Sequence, residues 1–256
     1  MDPLALLATS APEFDIRIPV AEAGPIHATV DLVRPSGASV RYSLELDVAG
    51  DREVRARERS ARRLPDRCPE RHISEGGWFC THWAEGDPHP VLNLDAARDW
   101  WTLLLSYLER QETASRLRKW PGPTRAHGEA ARHQSRAEQI ATAFGTAFAR
   151  DLRNGVFKVV ADQKRGRRRI ELLRLGKRVN RISLPSGALI NPRFSCPCDS
   201  ANPGHGAIDQ CGVHATELAQ FIVALYRWRT AESHFFRELR DRHQTCCGTL
   251  DTCPLA

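Results

Sequence analysis

The segment CPERHISEGGWFC, from Cys68 to Cys80, sets two thiols around a histidine, two glutamates and a glycine pair. The thiolate is the nucleophilic form of cysteine, and it forms where a partly exposed sulfur lies near positive charge or backbone donors. Cys80 closes a segment that contains Arg71 and His72, and His82 follows two residues later. Gly76 and Gly77 let the backbone approach a bound chain closely. Two roles stand for Cys80: an attacking thiolate, or a small apolar side chain buried between Phe79 and Trp83. Cys68 reads as loop packing or as a resolving thiol for Cys80.

A second group has the form Cys196-x-Cys198, twelve residues, then Cys211-x-x-His214. Tetrahedral zinc takes four nitrogen or sulfur ligands, and a turn followed by a helix start can bring two short pairs together. The predicted ligand set is Cys196, Cys198, Cys211 and His214, around a structural zinc ion. The pattern resembles zinc-knuckle and treble-clef modules, with a tighter first pair. CCGTLDTCP near the end adds Cys246, Cys247 and Cys253. With His205 or His243 these could replace a ligand, complete a second site or form a reactive tail.

Elements to position these groups are visible in the hydrophobic pattern. Between Pro25 and Arg59, Ile26, Ala28, Val30 and Leu32 alternate with polar residues, as do Val40, Tyr42, Leu44, Leu46 and Val48. That period of two predicts an antiparallel meander, with a polar third strand at an edge. Arg62 to Leu94 has no period and reads as a long functional loop. A helix follows, capped by Asp95 and carrying Trp101, Leu104, Leu105 and Leu108 on one side, until Pro121-Gly122-Pro123 stops it. A second helix is predicted over Gly128–Arg150, then two or three short strands with Lys/Arg-rich turns, then a long helix from about Ala215 to Arg242. A change of texture near residue 153 predicts two domains, 1–152 and 153–256.

Composition narrows the function classes. A net charge of +6 and a pI of about 9.1 favour acidic partners, while 41% hydrophobic and 27% charged residues are ordinary for a globular chain. No apolar run is long enough to span a membrane. MDPLALLATSAPEF carries an aspartate where an export signal needs positive charge, so the expected compartment is the cytoplasm, with reduced cysteines. The basic run Lys164 to Arg169 suggests a nucleic-acid surface, but few aromatics interleave with it for base stacking. Nucleic acid is therefore not the expected partner.

The loop resembles the active-site motif of ubiquitin-conjugating enzymes, His-Pro-Asn-Ile-x-x-x-Gly-x-Ile-Cys, which lies after a strand meander and before a helix. Reading back from Cys80, Phe79 stands for the last Ile, Gly77 for the Gly, Ile73 for the first Ile and His72 for the Asn. Glu70 and Arg71 replace the His and Pro, and Thr81-His82 replaces the Leu-Asp that usually follows the cysteine. The likeness spans roughly residues 20 to 120 and is greatest to divergent prokaryotic members with an Arg-His-Ile form of the loop. It implies an α+β fold: a ubiquitin-conjugating-like meander with helices, followed by a small zinc-binding α+β domain ending in a long helix. It also implies acyl transfer, with Cys80 carrying a ubiquitin-like modifier as a thioester and His72 assisting. The implied partners are an activating enzyme, the modifier and an amine-bearing target, in a setting of bacterial defence. No organic cofactor is implied, and Asp87 and Asp95 are weak candidates to orient the amine. The alternatives are a zinc-dependent nucleic-acid-binding protein and a catalytically inactive conjugating-like adaptor.

Overall fold

A computed structural model of the protein describes residues 2–19, 24–34, 37–59, 63–83, 86–122, 125–164, 167–184, 186–198 and 206–256. The chain divides into two compact α+β units, Met1–Thr124 with His243–Ala256, and Arg125–Arg242. The boundary expected at residue 153 therefore lies inside the second unit. The reason is packing: the apolar residues of the helices after 130, among them Ile140, Phe144 and Phe148, belong to the second core.

In the first unit, alternation sets the sheet. Strands β1 (Ile26–Val33), β2 (Ser39–Val48) and β3 (Val54–Glu58) form an antiparallel meander in that order. The register pairs Val30 with Tyr42 and Leu46 with Ala56, which puts Ala28, Val30, Tyr42, Leu44, Leu46 and Ala56 on one buried face. Charges on the other face pair across strands, Arg41 with Asp31, Arg55 with Asp47 and Arg57 with Glu45.

Two helices cover the buried face. The opening apolar patch forms α1 (Pro3–Ser10), where the Asp2 side chain accepts from the Ala5 N–H. The 24-residue α2 (Leu94–Leu117) buries Trp100, Trp101, Leu104 and Leu108, and Leu105 is partly buried against the same core. Indole N–H groups tie the layers: Trp101 donates to the Leu7 carbonyl at 3.1 Å and Trp100 to that of Val54 at 3.0 Å. The helix cap is Asn93, not Asp95. Asn93 has the extended backbone a cap requires and accepts from Ala96 N–H, while Asp95 lies in the first turn and pairs with Arg98. Glu112 joins α2 to the sheet, accepting from the Tyr42 hydroxyl at 2.5 Å and from Arg34 Nε at 2.9 Å.

The second unit begins with α3 (Ala130–Phe144) and α4 (Thr146–Arg153), where the sequence predicted one helix. Gly145 separates them with φ 115 and ψ 174, a conformation no helix contains. Strands β4 (Phe157–Lys164), β5 (Arg167–Arg174) and β6 (Lys177–Ser183) form a second antiparallel meander, and the 28-residue α5 (His214–Asp241) packs on it. Phe148 sits 4.5 Å from Phe157 and 5.0 Å from Phe221, ring centre to ring centre, in the core of this unit. No described helix is long and apolar enough to cross a membrane.

Candidate active site and metal centre

The segment between β3 and α2 is built rather than structureless. Short 3-10 turns occupy Pro69–Arg71 and Glu75–Gly77. The chain reverses at Ser74 to Trp78, where the Ser74 N–H donates to the Trp78 carbonyl at 2.8 Å and Gly76 and Gly77 take φ of 76 and 80. Ile73 bridges Phe79, and the Cys80 N–H donates to the His72 carbonyl at 2.8 Å. Cys80 therefore stands at the open end of a small hairpin, directly across from His72. The outgoing arm lies along β3: Phe79 N–H donates to Ala56 O at 2.9 Å and Trp78 bridges Arg57. The guanidinium groups of Arg55 and Arg57 lie 3.9 and 4.4 Å from the Trp78 ring centre.

Helix α2 holds the incoming arm. The Tyr107 hydroxyl donates to the carbonyls of His72, at 3.0 Å, and Arg71, at 3.2 Å. Gln111 donates its amide to Arg71 O at 2.6 Å. Arg71 in turn donates Nε to the Gln111 side chain at 2.7 Å, and Nη2 to Gln111 O and Ser115 Oγ. With only 1% of its surface exposed, this guanidinium is part of the internal frame of the loop. His72 is in the left-handed region, φ 54 and ψ 45, and its ring lies 5.0 Å from Trp120. Asn and His are among the non-glycine residues that tolerate this conformation, which explains in physical terms how histidine can stand where the motif has asparagine.

Cys80 is solvent-exposed, not sealed between Phe79 and Trp83. The surrounding protein nevertheless desolvates its sulfur. That desolvation raises the thiol pKa above its ordinary value, and the opposing influence of Ser74 nearby does not reverse it. Burial, and next the charge of a Cys80 thiolate, hold the Tyr107 phenol well above its ordinary range as well. The residues just beyond are tied to the β2–β3 turn. His82 Nε2 lies 3.1 Å from Glu53, whose other oxygen accepts the His89 N–H at 2.8 Å, and His82 Nδ1 lies 3.0 Å from the Thr81 hydroxyl. Asp87 is exposed and 3.5 Å from His89.

In the second unit, Cys196, Cys198, Cys211 and His214 present one ligand atom each, all within 4.8 Å of one another. His214 Nδ1 is 3.2 Å from Cys196 Sγ and 3.1 Å from Cys211 Sγ, and the Cys198 and Cys211 sulfurs are 4.0 Å apart. Ser195 bridges Ala207, which brings the first pair beside the second, and His214 is the first residue of α5. Burial, and then the neighbouring thiols, push the Cys196 pKa up to about 12. Such crowding suits a cation. One further observation fits a metal: Glu217 Oε2 is buried with no hydrogen-bond partner and lies 3.9 Å from His214 Nε2, the nitrogen that carries the proton when Nδ1 is a ligand.

The remaining cysteines do not join this group. Cys246, Cys247 and Cys253 lie in the tail that belongs to the first unit, where Cys247 Sγ is 3.1 Å from Cys68 Sγ. His205 lies outside the described residues. Sequence reasoning missed Tyr107, Gln111 and Glu53, whose link to the loop is purely tertiary.

Comparison with protein families accounts for both units. A family described as prokaryotic E2 domain matches residues 16–122, and one described as cysteine-rich domain, C-terminal to E2 domain, matches residues 126–255. Searches of curated proteins and of solved structures return no match. A hairpin presenting an exposed cysteine from the first unit, followed by a cysteine-histidine centre in the second, is consistent with those two descriptions, and the chain belongs to the prokaryotic E2 family that carries a cysteine-rich domain after the E2 domain.

Proposed function

We propose that this protein carries a ubiquitin-like modifier as a thioester on Cys80 and transfers it to an amine, typically that of a lysine. A prokaryotic E2 domain supports a conjugating-enzyme-like function, with a modifier and an activating enzyme as general partners. The observation that carries the finer reading is Cys80 itself, exposed at the open end of a hairpin whose backbone is fixed by α2.

In the first step the Cys80 thiolate attacks the carbonyl carbon of the modifier's C-terminal thioester on the activating enzyme. A carbon–sulfur bond forms to Cys80 and the activating enzyme's thiolate leaves. In the second step an amine attacks the same carbon, the new amide forms, Cys80 leaves as thiolate and the amine releases a proton. Each step passes through an oxyanion. His72, adjacent to Cys80 across the hairpin, is assigned the role of N–H donor to it, a contribution of a few kcal/mol in comparable sites. In the second unit, Cys196, Cys198, Cys211 and His214 are assigned to a structural zinc ion, which would supply cross-linking of the β6 exit to the start of α5 and no catalytic step.

Mixing the protein with its cognate activating enzyme, ATP and modifier should give an adduct that reducing agents cleave and Cys80→Ala abolishes. No adduct, or an unchanged thioester in the variant, would sink the proposal. His72→Ala should slow discharge to amine more than loading, with His72→Asn retaining more activity; equal slowing of both steps would mean a structural role only. The raised thiol pKa is the one observation favouring an inactive conjugating-like adaptor, which predicts no adduct under any condition.

A further inference from the structure

We propose that Cys68 and Cys247 form a reversible disulfide, a thiol-oxidation site distinct from Cys80 that fastens the C-terminal tail to the base of the Cys80 loop. Their sulfurs are 3.1 Å apart although the residues are separated by 179 positions. A disulfide bond is ~2.05 Å long, so about 1 Å of closure is needed.

The pair is already positioned without the bond. Cys68 anchors the loop, exchanging backbone hydrogen bonds of 3.0 Å with Ile73 in both directions. The tail is held against the end of α2: Arg118 Nε donates to Asp251 at 2.5 Å, its Nη2 donates to the Gly248 carbonyl at 3.1 Å, and the Asp251 N–H donates to Arg118 O at 2.9 Å. Around the sulfurs, Ala114, Leu250 and Trp120 make a small apolar cluster. Both cysteines belong to the same compact unit.

The two thiols are also unequal in the way an attacking and a resolving cysteine must be. Cys68 is buried, and Cys247 is half-buried and reachable by a small oxidant. Burial, then the adjoining Cys247, hold the Cys68 thiol above its ordinary value. Burial also acts upward on Cys247, but the Thr249 hydroxyl and N–H, the Cys68 thiol and the charge of Arg71 outweigh it and leave Cys247 below its ordinary value. In the neutral pair Cys247 donates to Cys68; once Cys247 ionises, the same contact turns the Cys68 proton toward it.

With a hydroperoxide as oxidant the step balances. The Cys247 thiolate attacks one peroxide oxygen, the O–O bond breaks, and a sulfenic acid and hydroxide result. The Cys68 sulfur then attacks the Cys247 sulfur, the S–S bond forms, the S–O bond breaks, and the departing hydroxide takes the Cys68 proton as water. Overall, two thiols are oxidised and one hydrogen peroxide is reduced to two waters; a thiol reductant reverses the change. This inference does not depend on the thioester reading.

The full-length protein, treated with stoichiometric hydrogen peroxide, quenched by alkylation and digested without reductant, tests it. The expected result is one cross-linked peptide joining Cys68 to Cys247, a loss of two alkylatable thiols, and their return with dithiothreitol. Cys247→Ser should abolish that peptide while leaving Cys80 alkylation unchanged; because Cys68 is buried, this half-buried partner is the safer variant. Both thiols remaining alkylatable, or Cys247 pairing instead with Cys246, Cys253 or Cys80, would overturn it. So would a second equivalent of bound zinc that Cys247→Ser removes, since the thiols would then be metal ligands.

Discussion

Desolvation of the Cys80 sulfur sets what kind of nucleophile it can be. With its pKa raised, the thiol form dominates at neutral pH. The sign follows from the raised pKa: the thiolate fraction, and with it the alkylation rate, should climb about tenfold per pH unit and continue climbing beyond the ordinary value of 9.0. Iodoacetamide kinetics across that range, with Cys80→Ser as blank, measure it; a plateau well below that value would contradict the site as described. Tyr107 is the second residue that matters at this scale. Removing its hydroxyl in Tyr107→Phe frees the His72 carbonyl from α2 and leaves the Arg71 carbonyl to Gln111 alone, and should cost about 1–2 kcal/mol of stability and slow loading of Cys80. A variant with unchanged melting and unchanged loading would show that the hairpin holds itself. The place of Cys80 at the exposed end of its loop was readable because loop motifs are local in sequence. Tyr107 was not, because from α2's own pattern it is one more apolar position on a buried face, and only the folded chain shows which carbonyl its hydroxyl meets.

At the scale of elements, Glu112 is the polar joint between the sheet and α2. Burial acts to raise its pKa, but the Tyr42 hydroxyl and Arg34 guanidinium outweigh that and hold the carboxyl below its ordinary value of 4.5. A carboxylate depressed in the folded state adds stability that is present above its unfolded pKa and fades as pH falls through the folded one. Glu112→Gln should therefore lower stability at neutral pH and flatten its decline below about pH 4.5, read from urea unfolding at several pH values; parallel pH profiles for the two proteins would refute this. The strands that Glu112 helps fix were legible because a buried face needs apolar residues at every second position. The single helix predicted across Gly145 was wrong for a related reason: apolar residues at helical spacing continue on both sides, Phe144 before and Phe148 after, and periodicity cannot register one residue whose φ of 115 redirects the axis.

For the whole molecule, stability in the second unit should depend on metal. Three thiols and an imidazole gathered within 4.8 Å repel or desolvate one another without a cation, so elemental analysis should find about one zinc per chain. Chelation, or Cys211→Ser, should lower the melting temperature; a protein isolated without zinc and insensitive to chelator would refute the centre. The gathering of Cys196, Cys198, Cys211 and His214 was legible because both pairs are short, whereas the return of the tail to the first unit was not. Nothing local in CCGTLDTCP indicates that Cys247 ends beside a cysteine 179 residues earlier, and the domain boundary was misplaced for the same reason: composition changes at residue 153, but packing changes at 124.

The Phe79 amide on the Ala56 carbonyl means that the Cys80 hairpin also shields the rim of a three-stranded sheet. Strand rims left bare are templates for sticking to other chains. Deleting or reshuffling the hairpin would thus trade a loss of chemistry for a loss of solubility, and the two would be indistinguishable in an activity assay. Testing the Cys80 hairpin calls for point substitutions that leave the contact between Phe79 and Ala56 in place.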